Sequence, residues 1–302
     1  MRFEGIYTPI ITPFKEDGSI DWESYARVIE FQIESGVAGI IVGGSTGEFY
    51  AMSKQERIEQ FSFAGQRIDG RVEFMAGVNH MRVDDCLELS ETARAVGAQS
   101  LLVAAPPYSL PSEAELAAHV FKIEQLTGLA IMLYNYPGRT GVEMGEEFLD
   151  LVADNANVAG IKESSGDINR IHLLVNHYPQ IELVAGAEDQ VLEFFVWGAK
   201  SWVCASGNIF PAECVRFLDL VVNKGDFERG KRIMAAFSPL MHALEQGGKF
   251  IQSIKYASQL QGISAGIVRP PMMPMNTELE QELEQIVNNV RTQVNAVLDE
   301  VS

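Results

Sequence analysis

A lysine closes the short apolar run Val158-Ala159-Gly160-Ile161-Lys162, and the small polar stretch Glu163-Ser164-Ser165-Gly166 follows it. Such a run reads as a buried strand, and a lysine at its end is placed to act as an amine nucleophile. Attack on a ketone needs the neutral amine, whereas free lysine, with a pKa of ~10.4, is almost wholly protonated at neutral pH. Bringing an amine down to ~7 to 8 asks about 4 kcal/mol, which lies within what apolar burial delivers. Alternation along the strand puts Val158, Gly160 and Lys162 on one face. The ordinary alternative is a lysine whose stem lies along apolar surface while its head stays in water.

A second run, Ala130-Ile131-Met132-Leu133-Tyr134, ends in Tyr134-Asn135-Tyr136-Pro137-Gly138-Arg139-Thr140-Gly141. By the same alternation Ala130, Met132 and Tyr134 share a face, so a phenol and an amine project from the ends of neighbouring strands into one cavity. Schiff-base chemistry uses such a pair, because forming and dehydrating a carbinolamine moves protons on and off the substrate oxygen. Without Lys162, Tyr134 would read as a core tyrosine with its hydroxyl satisfied.

The elements that must position these residues are legible as a pattern. Apolar runs at Gly5 to Pro9, Gly39 to Gly43, Val72 to Gly77, Ser100 to Ala104, Ala130 to Tyr134, Val158 to Lys162, Ile181 to Gly186 and Ser201 to Ala205 alternate with amphipathic stretches. Their starts lie roughly 20 to 35 residues apart, room for a helical crossover each time, which predicts parallel strands. Ser53 with Glu56 and Ser112 with Glu115 read as capping boxes, and Tyr25, Val28, Ile29 and Ile33 share a helical face that Gly36 ends. Eight such units predict an α/β fold, a (β/α)8 barrel over residues 1–224; an open doubly wound sheet would alternate similarly. From 225 to 302 strand runs cease. Helical stretches follow at Phe227 to Glu245, Phe250 to Gln261 and, after Pro270-Pro271-Met272-Met273-Pro274, Thr277 to Val301, a C-terminal helical extension.

Sites in such barrels form where strands end. Gly43-Gly44-Ser45-Thr46-Gly47-Glu48 follows the second strand, Pro106-Pro107-Tyr108 the fourth, Tyr134 and Arg139 the fifth, Lys162 the sixth and Gly186 the seventh, so all fall on one rim. The glycine-rich turn, with Ser45 and Thr46, offers N–H groups and two hydroxyls to a carboxylate or phosphate.

Composition excludes several classes. The 302 residues are 47% hydrophobic, enough for a large core, and 23 Lys and Arg against 41 Asp and Glu leave a net charge of -18, which disfavours nucleic acid or anionic lipid as partner. Cys86, Cys204 and Cys214 form no CxxC pair, which suits reduced thiols in a cytoplasmic protein, with Cys204 in the core. The N-terminus lacks a signal-peptide pattern and no apolar run is long enough to span a membrane. The histidines show no metal-ligand spacing and no nucleotide-binding glycine motif occurs, so neither a metal nor a nucleotide is expected.

The combination of Gly44-Ser45-Thr46-Gly47-Glu48, Tyr134 to Gly141 and Gly160-Ile161-Lys162-Glu163, beginning upstream at Gly5-Ile6-Tyr7-Thr8-Pro9, resembles the dihydrodipicolinate synthase and N-acetylneuraminate lyase family across nearly the whole chain. The resemblance implies that Lys162 forms a Schiff base with pyruvate or a related 2-oxo acid, with no other cofactor, that Ser45 and Thr46 hold its carboxylate, and that Tyr134 carries protons. It further implies that Thr46 links Tyr134 to Tyr108, that Tyr108 reaches a neighbouring subunit's site, and that the Val203 backbone and Gly186 lie against substrate. A homo-oligomer, dimer or tetramer, follows. Arg139 stands where the synthase branch binds the carboxylate of aspartate semialdehyde, which points to a dihydrodipicolinate synthase; Tyr136 replaces that branch's usual small residue. Pro107, Phe49, Lys54 and Met81 depart from the lysine-inhibited pattern. Relatives sharing the first step act on N-acetylneuraminate, 2-keto-3-deoxy sugar acids or hydroxyproline-derived substrates.

A serine hydrolase is the reading from another class. Gly43-Gly44-Ser45-Thr46-Gly47 fits the GxSxG pattern, yet His172, His177 and His242 fall in helical stretches rather than after a final strand.

Overall fold

The computed structural model describes residues 2–300. Eight strands, β1 (Gly5–Pro9), β2 (Gly39–Val42), β3 (Glu73–Gly77), β4 (Ser100–Ala104), β5 (Ala130–Asn135), β6 (Val158–Glu163), β7 (Glu182–Ala185) and β8 (Ser201–Val203), pair in parallel with their sequence neighbours, and β8 returns to β1 to close a barrel. This is the expected (β/α)8 architecture, and each strand starts within one residue of its apolar run. Runs buried on both sides carry no polar alternation, which is why they were visible as continuous apolar segments.

The helices are α1 (Trp22–Glu34), α2 (Lys54–Ile68), α3 (Val83–Ala95), α4 (Glu113–Thr127), α5 (Pro137–Thr140), α6 (Glu146–Val152), α7 (Ile168–His177), α8 (Val191–Val196), α9 (Pro211–Leu218), α10 (Phe227–Gln246), α11 (Phe250–Gln259) and α12 (Thr277–Leu298). Both capping boxes form: the Ser53 and Ser112 side chains accept from the Glu56 and Glu115 N–H groups, and the glutamates reach back to the serine N–H groups. Tyr25, Val28 and Ile29 of α1 are buried, and Gly36 follows with φ +81°. The third tail helix was expected to reach Val301, which lies outside the described residues. No helix among the described residues is long and apolar enough to cross a membrane.

Two apolar layers divide the interior. Phe3, Tyr7, Ile41, Met75, Leu102, Met132 and Val184 fill the barrel, while a larger cluster packs the strands' outer faces against the helices. That outer cluster runs on through Phe217 and Phe237 into α10 and α12. The three cysteines are buried free thiols, Cys204 in this cluster.

The strand reading needs one correction. Val158, Gly160 and Lys162 do not share a face, because Ile131 pairs with Val158 but Met132 pairs with Gly160, leaving Ala159 as an extra residue. Such a bulge shifts the side-chain phase. Val158 therefore packs outward and Ala159 inward, whereas a Cβ on Gly160 would meet the interior ring of Phe3 at 2.9 Å. Beyond the bulge the phase is regular: Ile161 faces outward and Lys162 inward.

Candidate active site

Tyr134 and Lys162 are direct partners in the β5–β6 register, so both leave their strands at the same height. The Lys162 Nζ sits 3.9 Å from the centroid of the Tyr134 ring, and both residues are more than nine-tenths buried. Among the described residues Lys162 makes no hydrogen bond or ion pair. Its strand end is fixed from behind. The adjacent Glu163 carboxylate, fully buried, accepts from Asn135 Nδ2 at 2.8 Å, Arg170 Nε at 3.2 Å and the Ser165 N–H at 2.7 Å. Arg170, Asn135 and the Ser165 N–H thus engage the carboxylate that would otherwise draw the amine, and Lys162 faces the cavity.

Space for the lysine depends on Gly186. A Cβ there would overlap Ser164 Oγ and come within 2.7 Å of Lys162 Cγ and 2.6 Å of the Glu163 carbonyl. This residue, expected to line the substrate, also gives the lysine stem its passage.

On the opposite side, β2 turns at Gly43 with φ +73°, where a Cβ would press on Phe61 at 2.9 Å, and the chain enters a 3-10 turn, Ser45–Gly47. The Thr12 hydroxyl donates to the Gly47 carbonyl at 2.8 Å and in turn accepts from Gln60 Nε2 at 2.7 Å. The next residue, Glu48, takes a left-handed φ of 58°, unusual for glutamate. Its buried carboxylate pairs with Lys255 Nζ of α11 at 2.5 Å and accepts from the Arg269 N–H at 3.1 Å. The Arg269 guanidinium bonds Glu56 and stands over Phe14 at 4.1 Å. The tail therefore clamps the Ser45-Thr46 turn from below.

These residues face one cavity of about 510 Å³, lined by Ser45, Thr46, Tyr134, Arg139, Lys162, Gly186 and Val203 together with groups that no sequence motif marks. Tyr50, Phe250 and Met272 narrow it, and α10 brings Glu245. Glu188 is fully buried; it accepts from the Ala205 and Ser206 N–H groups at 2.6 and 3.1 Å and from the Ser206 hydroxyl, holding the turn after β8. Burial pushes its carboxyl pKa up, and those donors pull it back. Burial pushes the Glu245 carboxyl up to about 7, with Glu188 adding to the shift and Lys162 opposing it. The Arg139 guanidinium lies 5.6 Å from the Tyr136 ring centroid and 6.0 Å from that of Phe250.

Seven of the eight predicted site residues thus meet on one cavity. Tyr108 does not line it: it is 88% exposed on the turn after β4, with φ +72°. The hydrolase reading finds no support. Among the described residues no histidine lines the cavity, His172 and His177 lie in α7 and His242 in α10, and the left-handed positions of the turn are Gly43 and Glu48, not Ser45. Among the described residues no group of three or more His, Cys, Asp or Glu side chains is placed to hold a metal.

A closed (β/α)8 barrel with an enclosed lysine at the end of its sixth strand defines a class of barrel lyases. A family model described as "Dihydrodipicolinate synthetase family" matches residues 2–290, and the chain belongs to that family, whose members are lyases. Similar proteins include the 4-hydroxy-tetrahydrodipicolinate synthase of Exiguobacterium sp., 30% identical over 93% of this chain and 96% of that one. That of Methanocaldococcus jannaschii is 31% identical over 95% and 99%. The solved 4-hydroxy-tetrahydrodipicolinate synthase of Methylacidiphilum fumariolicum SolV superposes with a TM-score of 0.92 at 28% identity, covering 98% of both chains.

Proposed function

We propose that the protein condenses pyruvate with aspartate semialdehyde through a Schiff base on Lys162, as a 4-hydroxy-tetrahydrodipicolinate synthase does. The observation that carries this reading is an enclosed lysine amine, in no hydrogen bond or ion pair among the described residues, set 3.9 Å from the Tyr134 ring centroid in a cavity that also presents Ser45 and Thr46. The names of its relatives point the same way.

The steps follow from what each group can do. Pyruvate enters with its carboxylate on the Ser45-Thr46 turn, and the Lys162 amine attacks its ketone carbon. Tyr134 delivers protons to the former carbonyl oxygen, water leaves, and an iminium forms. Loss of a methyl proton gives the enamine. Its terminal carbon bonds to the aldehyde carbon of the second substrate, held by Arg139, and the aldehyde oxygen takes up a proton. Hydrolysis of the regenerated iminium, or cyclisation through the product's own amine, frees Lys162. In this reading the chains associate as a dimer or tetramer, so that Tyr108, exposed in one protomer, completes a neighbour's site.

A second reading keeps the first steps and changes the partner: Tyr136 stands at the cavity wall beside Arg139, where its ring alters the room for the second substrate. A sugar-derived or hydroxyproline-derived 2-oxo acid would then be the substrate. Borohydride reduction in the presence of pyruvate tests the shared step. A covalent adduct on the peptide carrying Lys162, absent in Lys162→Ala, is expected; no adduct in the wild type refutes the pyruvate condensation. A turnover panel of aspartate semialdehyde, N-acetylneuraminate, 2-keto-3-deoxy sugar acids and a hydroxyproline-derived imino acid then separates them.

A further inference from the structure

The outer half of the cavity carries two opposite charges that form no ion pair among the described residues. Arg139, on the turn after β5, forms no ion pair among the described residues, and its guanidinium rests near the rings of Tyr136 and Phe250. Glu245, at the C-terminal end of α10, forms neither a hydrogen bond nor an ion pair among the described residues. Both line the same cavity, yet they do not reach each other. Most other arginines of the chain are engaged, as Arg57, Arg71, Arg170 and Arg269 show. Glu245 is partly buried and Arg139 exposed at the mouth; neither is in an ion pair, and both face the space a ligand would enter, where it could span them.

Two other acids line the cavity, and Glu245 is the more enclosed of the two that are uncommitted. Glu188 has its oxygens committed to Ala205 and Ser206, and Asp189 is exposed. Deeper in the cavity the remaining cation, Lys162, is the group to which pyruvate attaches in the reading above. What arrives second must then lie between Lys162 and the Arg139–Glu245 pair, with its reactive carbon inward.

We propose that Glu245 takes the protonated amine at the far end of the second substrate, on the carbon whose carboxylate the reading above gives to Arg139. The site then selects an aldehyde that ends in an α-amino acid, and Glu245 determines specificity. This rests on the pyruvate–aldehyde reading. A planar guanidinium meets a carboxylate with two parallel hydrogen bonds, and a carboxylate accepts a charge-assisted bond from an ammonium. An aldehyde of equal length without the amine would leave Glu245 without its partner.

The experiment compares L-aspartate semialdehyde with succinate semialdehyde, which keeps the carboxylate and aldehyde but lacks the amine. At saturating pyruvate, kcat/KM is measured for both in the wild type, Glu245→Gln and Glu245→Ala. The wild type should favour the aminated aldehyde by roughly tenfold or more, and each variant should lose most of that preference through KM, the neutral isostere Gln as much as Ala. Arg139→Ala should weaken both aldehydes. A wild type that shows no preference or turns over neither aldehyde overturns the proposal, as does a preference that survives both substitutions. Borohydride trapping of pyruvate on the wild type keeps the two readings apart: lost trapping removes the condensation itself, whereas intact trapping with an unmoved preference removes only the role of Glu245.

Discussion

Glu245 should make the protein's stability depend on pH in a way that one substitution abolishes. A free glutamate carboxyl titrates at 4.5, and in the fold this one is held at about 7, chiefly by burial. The folded state therefore keeps the Glu245 proton over a pH range in which the unfolded chain has released it. Unfolding then takes place with net proton release, and stability falls as pH rises from 4.5 to about 7 and levels off beyond. The full gap corresponds to about 3 kcal/mol, and screening at a side chain that is only partly buried reduces this to about 2 kcal/mol. Glutamine cannot ionise, so Glu245→Gln should gain on the wild type by that amount between pH 4.5 and 8. For a chain of this length 2 kcal/mol is a shift of about 3 to 4 °C in Tm. Burial also raises the carboxyls of Glu73 and Glu182, which tilt the absolute curve the same way, but they are common to both proteins and cancel in the difference. Thermal unfolding followed by circular dichroism at half-unit pH steps supplies the comparison. A Tm difference that stays flat across the window, or one in which the variant loses ground as pH rises, refutes the argument that Glu245 is ionised at a cost.

Two further perturbations address the groups that hold the site. Gly186→Ala places a methyl against Ser164 and Lys162 Cγ, so we expect about 1 to 3 kcal/mol of destabilisation in denaturant titrations and a fall in the rate of pyruvate trapping of about 10²-fold as the amine is displaced. Trapping at the wild-type rate would show that the lysine has another path. Lys255→Met strands the buried Glu48 carboxylate, costing about 3 to 5 kcal/mol, and should raise KM for pyruvate because the Ser45-Thr46 turn loses its anchor. The double variant Lys255→Met/Glu48→Gln should recover part of the stability; full additivity of the two losses would mean that the pair is not coupled.

How far the sequence carried these conclusions depended on whether a residue's neighbours lie close along the chain. The strands, the capping boxes at Ser53 and Ser112, and the Tyr134–Lys162 adjacency all rest on short-range pattern, since parallel neighbours in a barrel are consecutive in sequence. The bulge at Ala159 was not legible, because one additional small apolar residue leaves an apolar run looking unbroken. Glu245 was hidden for a different reason. On α10 it looks like one more solvated residue of an amphipathic helix, and only the packing of that helix beside the turn after β7 turns it toward Lys162 and Arg139. Glu188 opens a polar triplet, Glu188-Asp189-Gln190, that reads as an exposed turn, although the fold buries one of its two acids and exposes the other.

This difference in origin also separates what the site can change from what it cannot. Lys162, Tyr134 and Val203 leave strand ends whose inward neighbours are packed inside the barrel, so moving any of them disturbs the interior register. Arg139, Glu245, Phe250 and Met272 come instead from a short turn, a helix end and the tail, where a substitution alters the cavity wall without shifting a strand. Chemistry common to all pyruvate-linked reactions belongs to the first group, and the choice of second substrate to the second. A relative with another substrate should therefore differ from this chain first at Arg139, Tyr136 and Glu245. Exchanging these three should redirect the aldehyde preference while pyruvate trapping on Lys162 persists; if trapping is lost along with the preference, the two halves of the site are not separable.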